Sequence, residues 1–136
     1  MKPRYLLLFT SLILACANRN TPRAVSEDFI YNYYQRADQV AALQLCHGLA
    51  AQKLEDEIAR VSEVRVPGQQ VEEMPKIEYE ATGQEEGTTH VLFNYKLTID
   101  IRGTTTHTRK VVIQTEQIDG RWKVVNFDEY LSLIHI

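Results

Sequence analysis

Apolar residues recur with a period of about 3.6 over the first half of this chain and a period of 2 over the second. Phe29, Ile30, Tyr33 and Ala37 fall at helical spacing and predict a first helix with one apolar stripe. Ser26 is the expected N-cap, Glu27 and Asp28 put negative charge on the first turn, and Val25 is placed to staple against Ile30. Asp38 is expected to cap a second helix carrying Val40, Leu43 and Cys46, which His47-Gly48 interrupts. A third helix is predicted over residues 49–65, with Ala50, Leu54, Ile58 and Val61 as its stripe and Asp56 four residues before Arg60. Pro67-Gly68 closes the helical half.

From Lys76 the pattern is that of strands. Ile77, Tyr79 and Ala81 alternate with Lys76, Glu78 and Glu80, and a polar turn is expected over residues 82–87. The clearest strand follows, with Val91, Phe93, Tyr95, Leu97, Ile99 and Ile101 against His90, Asn94, Lys96, Thr98 and Asp100, one face buried and one wet. Arg102-Gly103-Thr104 turns into a third strand over residues 108–117. Asp119-Gly120 is a strong hairpin signal, and a two-residue loop there pairs Gln117 with Trp122, Thr115 with Val124 and Ile113 with Asn126. Val111, Ile113, Thr115, Trp122 and Val124 then share a face, and a three-residue loop at residues 102–104 brings Phe93, Tyr95 and Leu97 onto it. Val112, Val125 and Phe127 fall on the opposite face, either as an oligomer contact or as strand formers beside a helix end.

The two ends read as processing segments. Lys2 and Arg4 precede an apolar run from Tyr5 to Ala15 that is far shorter than the roughly 20 residues a membrane span requires. The run closes on Leu12-Ile13-Leu14-Ala15-Cys16, which resembles the bacterial lipobox, Leu14 being its less usual member; the resemblance implies cleavage after residue 15 and acylation of Cys16 by palmitate-type chains. Several acyl chains at one site would make attachment effectively permanent. Ala17 stands where an Asp would favour the inner membrane, so the expected location is the periplasmic side of the cell envelope, with the outer membrane slightly favoured. At the other end, residues 131–136 look like the translation of a transposon-end sequencing adapter, against the plain alternative of an apolar tail finishing the last strand.

The expected organisation is therefore a leader over residues 1–15, a lipidated tether over 16–25, one domain over 26–130 and an adapter scar over 131–136. About 115 residues from Cys16 to Tyr130 suffice for a single core. The whole chain has 15 basic and 18 acidic residues; losing Lys2 and Arg4 with the leader makes the mature balance more acidic, which argues against a nucleic-acid partner. With Cys16 acylated, Cys46 has no partner for a disulfide and is read as a small buried residue.

Three helices followed by a four-stranded antiparallel meander resemble the nuclear transport factor 2-like superfamily. The early aromatic helix Phe29-Ile30-Tyr31-Asn32-Tyr33-Tyr34 and the closing strand Gly120-Arg121-Trp122-Lys123-Val124-Val125 carry the likeness, which spans residues 25–130. The resemblance implies an α+β fold in which a curved sheet wraps the helices into a cone with a pocket between them. That superfamily includes SnoaL-like cyclases, steroid isomerases, dehydratases, secretion-system subunits and many noncatalytic domains, so the fold does not choose the function.

An isomerase needs an inward carboxylate as base and a Tyr or protonated acid opposite it. The expected inward set is Tyr79, Tyr95, Arg109, Thr115, Gln117, Asn126 and Asp128, with Asp128 the single acid, while Glu78, Glu80, Asp100 and Glu116 point outward and Asp38 is taken up as a cap. No catalytic dyad emerges. His47, His90 and His107 have no ligand spacing, so no metal or other cofactor is expected. The candidate pocket residues are Tyr33, Tyr79, Tyr95, Arg109, Trp122 and Asn126, although helical spacing also suits Tyr31, Tyr33 and Tyr34 for ordinary packing. The sequence reading is thus a noncatalytic, membrane-tethered envelope domain that binds a protein partner or a small apolar ligand, with homo-oligomerisation open. Its alternatives are a SnoaL- or ketosteroid-isomerase-like enzyme and a structural envelope or secretion-system subunit.

Overall fold

The computed structural model describes residues 18–64, 75–101, 103 and 105–131; Cys16 with its leader, Pro67-Gly68 and residues 132–136 lie outside the described residues. The described chain forms helices α1 (Pro22–Ile30), α2 (Gln39–Leu43) and α3 (Gly48–Val64), then strands β1 (Lys76–Glu86), β2 (His90–Ile101), β3 (Thr105–Ile118) and β4 (Arg121–Leu131). The strands form one antiparallel sheet in the order β1-β2-β3-β4.

The first helix begins four residues before Ser26. Thr21 is the N-cap, its side chain accepting from the Ala24 amide, and Pro22 supplies a φ already suited to the first turn. Ser26 is instead fully buried inside the helix, so Pro22 and Arg23 belong to α1 and not to a tether. After Ile30 the helix widens into one π-helical turn over Tyr31–Gln35, closed by the Arg36 amide on the Tyr31 carbonyl at 3.0 Å. The extra residue in that turn brings the neighbours Tyr33 and Tyr34 both against the core. Ala37, read as part of the stripe, has left the helix at a φ of 49°. Asp38 does cap α2, accepting from the Ala41 amide at 3.0 Å, but the helix buries Ala42 and leaves Val40 60% exposed.

The turn expected over residues 82–87 is instead strand: β1 runs on through Glu86 with a register shift between Ala81 and Gly83, while β2 and β3 pair in the expected register. Phe93 pairs with Ile113 and Tyr95 with Val111 across a three-residue turn, and these side chains are buried under α1. At Asp119-Gly120 both residues take positive φ, 49° and 80°, which a two-residue hairpin of matching twist demands. Gln117 meets Trp122 and Thr115 meets Val124, as the hairpin predicts. Trp122, expected inside, is only partly buried against the core.

The register shifts between Gln114 and Thr115, because Val125 is an extra residue on β4. Ile113 therefore faces Phe127 and not Asn126, and the inward parity downstream passes to Phe127 and Glu129. At the same place the open side of β4 receives a short parallel pairing: the Val124 amide donates to the Leu45 carbonyl at 2.8 Å and the His47 amide to the Val124 carbonyl at 2.9 Å. The chain between α2 and α3 thus shields part of that edge. The other edge, β1, is exposed along nearly its whole length and is protected by Glu78, Glu80, Glu85 and Glu86.

Candidate functional site

The helices bury the inner face of the sheet over the part nearest the β3–β4 turn. There Phe29 is fully buried, stacked on Tyr33 with centroids 5.3 Å apart and tilted on Phe127 at 4.9 Å. Tyr95 is equally buried, its hydroxyl 2.6 Å from Ser26 Oγ. Towards the β2–β3 turn the same face continues past the helices as Ile99, Ile101, His107, Arg109 and Leu131. A cavity of about 460 Å³, open on one side, lies among these residues with Thr106 and Thr108 at its wall. Its size falls in the range of small-molecule sites.

A chain of polar contacts runs from Arg109, at the cavity wall, back towards the helices. The Tyr34 hydroxyl donates to Glu129 Oε1 at 2.7 Å, and Arg109 Nη1 donates to Glu129 Oε2 at 3.0 Å. Beside it the Tyr33 ring meets Tyr34 edge-on at 4.7 Å and its hydroxyl donates to Glu57 Oε2 at 2.6 Å. Arg109 Nε is buried and makes no hydrogen bond among the described residues. A guanidinium presents Nε and the neighbouring amino group as one flat fork, the geometry that a carboxylate fills with two bonds.

Of the residues expected to line a pocket, Arg109 alone lines this cavity. Tyr33 packs among Phe29, Tyr34 and Phe127; Tyr95 is sealed in the core, and Tyr79, 38% exposed, packs edge-on against it at 5.9 Å. Trp122 is at the opposite end of the sheet. Asn126 and Asp128 are turned away from the inner face by the bulge. Lys53 on α3 gathers them, its Nζ donating to Asn126 Oδ1 and the Phe127 carbonyl at 2.8 Å each and to Asp128 Oδ1 at 3.2 Å. The inward acid is therefore Glu129, which the regular register hid. The spacing of Val124 and Phe127, three residues apart in a period-2 strand, is the sequence signal of that change of parity. The same shift removes Phe127 from the outer apolar patch, leaving Val112 and Val125, both half-buried.

Burial, reinforced by the negative charges nearby, holds the Tyr33 and Tyr34 hydroxyls well above the usual tyrosine range, and burial raises Tyr95 as well. Burial also pushes the Cys46 thiol up to about 12. Each of these groups binds its proton more tightly folded than unfolded. The stability they contribute is fully present below the unfolded values, about 8.5 for Cys and about 10 for Tyr, and is lost as pH rises past them. Thermal unfolding followed from about pH 8 to pH 11 should show Tm falling above about pH 10, with a shallower fall in Tyr34→Phe. A Tm that stays level over that range would contradict this assignment.

Among the described residues there is no group of three or more His, Cys, Asp or Glu placed to hold a metal ion, and no helix is long and apolar enough to cross a membrane.

No family model and no curated protein matches the chain. A solved structure does: a protein from Thiobacillus denitrificans described as a calcium/calmodulin-dependent protein kinase type II association domain superposes with a TM-score of 0.60 over 83% of this chain and 96% of its own, at 12% identity. The fold is nuclear transport factor 2-like. The sheet is not closed, and the helices packed against it leave the end that holds the cavity uncovered.

Proposed function

We propose that this chain is a lipid-anchored domain of the bacterial envelope, without catalytic function, that binds a small apolar ligand carrying a carboxylate in this cavity. The observation that supports the ligand class is Arg109, half engaged by Glu129, at the wall of a cavity where Ile99 and Ile101 stand beside Thr106, His107 and Thr108. Ile99 and Ile101 would take the ligand's body, and the accessible part of the Arg109 guanidinium its head group. Both oxygens of Glu129 are already engaged, by Tyr34 and Arg109, which favours a positioning role for it over proton abstraction.

Decanoate and decanol, titrated calorimetrically, separate the head group from the tail. Decanoate should bind more tightly than decanol, and Arg109→Met should weaken decanoate about tenfold or more while leaving decanol unchanged, since a charge-assisted hydrogen bond is worth about 1.5 to 3 kcal/mol. Equal losses for both probes, or no binding of either, would overturn the ligand reading. Turnover of a steroid or polyketide substrate that Glu129→Gln abolishes would replace it with the enzyme reading.

Anchoring rests on the lipobox-like Leu12-Ile13-Leu14-Ala15-Cys16 and has its own test. The chain expressed with its leader should incorporate labelled palmitate and float with membranes, and Cys16→Ser should abolish both. Unchanged membrane attachment in Cys16→Ser would count against acylation.

A further inference from the structure

Arg19 and Asn20, expected in a loose tether, are docked on the domain. Arg19 pairs with Asp28 on α1. Asn20 lies across the β3–β4 turn, its Nδ2 donating to the Gly120 carbonyl at 2.9 Å and its Oδ1 accepting from the Trp122 amide at 2.9 Å. Thr21 then caps α1 and fixes where the chain goes next. From Asn20 back to Cys16 is four residues, which span at most about 14 Å even when fully extended.

We infer that, if Cys16 bears the lipid as proposed above, this short reach holds the end of the domain formed by Asn20 and the β3–β4 turn against the lipid surface, so that the cavity opens away from the membrane. The sheet sets the second half of that geometry. The β3–β4 turn and the β1–β2 turn share one end of the meander, while Ile101, His107 and Leu131 sit at the other. Eleven residues of β3 separate Ile118 from His107, about 36 Å of strand. That is more than twice the reach of the free segment. The anchor end carries Arg19, Arg23, Arg121 and Lys123 against Asp28, Glu85, Glu86 and Asp119, a balance that supplies no net electrostatic steering, so the covalent tether sets the orientation. The ligand of the cavity consequently arrives from the aqueous side and is not drawn from the bilayer beneath.

Trp122 is the single tryptophan of the chain and lies at the anchor end, which makes it a native donor for energy transfer to a dansyl-labelled headgroup. The lipidated protein in vesicles containing that lipid should show strong transfer. Moving the donor to the cavity end of β4, with Trp122→Phe and Tyr130→Trp together, should lower it severalfold. Inserting about a dozen Gly/Ser residues after Ala17 gives the domain a further ~20 Å of slack and should erase the difference between the two donors. As a readout that needs no change inside the domain, hydrogen exchange on vesicles should slow at the β3–β4 turn and not at the β2–β3 turn, relative to Cys16→Ser. Equal transfer from both positions, or equal protection at both turns, would overturn the orientation while acylation stands. Failure of the native chain to float with vesicles would overturn the anchor and the orientation with it.

Discussion

Replacing Phe29 by alanine is expected to cost about 3 to 5 kcal/mol, a large part of the roughly 5 to 15 kcal/mol that a domain of this size has in all. Phe29 has no exposed surface and is the hub of the aromatic cluster: it stacks on Tyr33, meets Tyr34 edge-on at 6.4 Å and leans on Phe127. Removing its ring opens a void between the π-helical turn and β4, the two elements that the Tyr34–Glu129 hydrogen bond joins. Chemical denaturation should show the loss as a lower midpoint at unchanged slope, and Tm should fall by roughly 15 °C or more. A change under about 1 kcal/mol would mean that the helix does not seat on the sheet as described.

Ser26→Ala is expected to cost about 1 to 3 kcal/mol, although only one oxygen is lost. Ser26 Oγ donates to the Arg23 carbonyl at 2.8 Å, which uses its one proton, so the bond at 2.6 Å must be donated by the Tyr95 hydroxyl. Both residues are buried, and in Ser26→Ala the tyrosine hydroxyl loses its acceptor in a place water does not reach. Tyr95→Phe is the milder change, because Ser26 keeps its bond to Arg23. Ser26→Ala with Tyr95→Phe should therefore cost less than the sum of the two and close to Tyr95→Phe alone, a coupling that a double-mutant cycle by urea denaturation reads directly. Additive losses would show that the hydroxyl pair does not act as a unit.

Three helices, four strands and their antiparallel order could be read from the chain because each rests on local chemistry. The change of period at Lys76, the cap at Asp38 and the Asp119-Gly120 turn are all set by neighbours within a few residues, and β2 and β3 pair as the alternation and the three-residue turn require. Other signals were present and outcompeted. Ser26 is as good a cap as Thr21 by residue type. It was drawn into the core because Tyr95, 69 positions away, needed an acceptor there.

What the tertiary structure alone decided is the site. Local alternation along β4 puts Asn126 and Asp128 inside, and the extra residue Val125 reverses that parity. The bulge is favoured by a partner the sequence does not place: the chain at Leu45 and His47, which pairs with Val124 on the free edge of β4, and Lys53, which collects Asn126 and Asp128 on the far side. Glu129 meets Arg109 and Tyr34 as a consequence, joining residues 95 and 20 positions apart. Periodicity along one strand reports which residues share a face while the ladder is regular; it cannot report where another element makes the ladder skip.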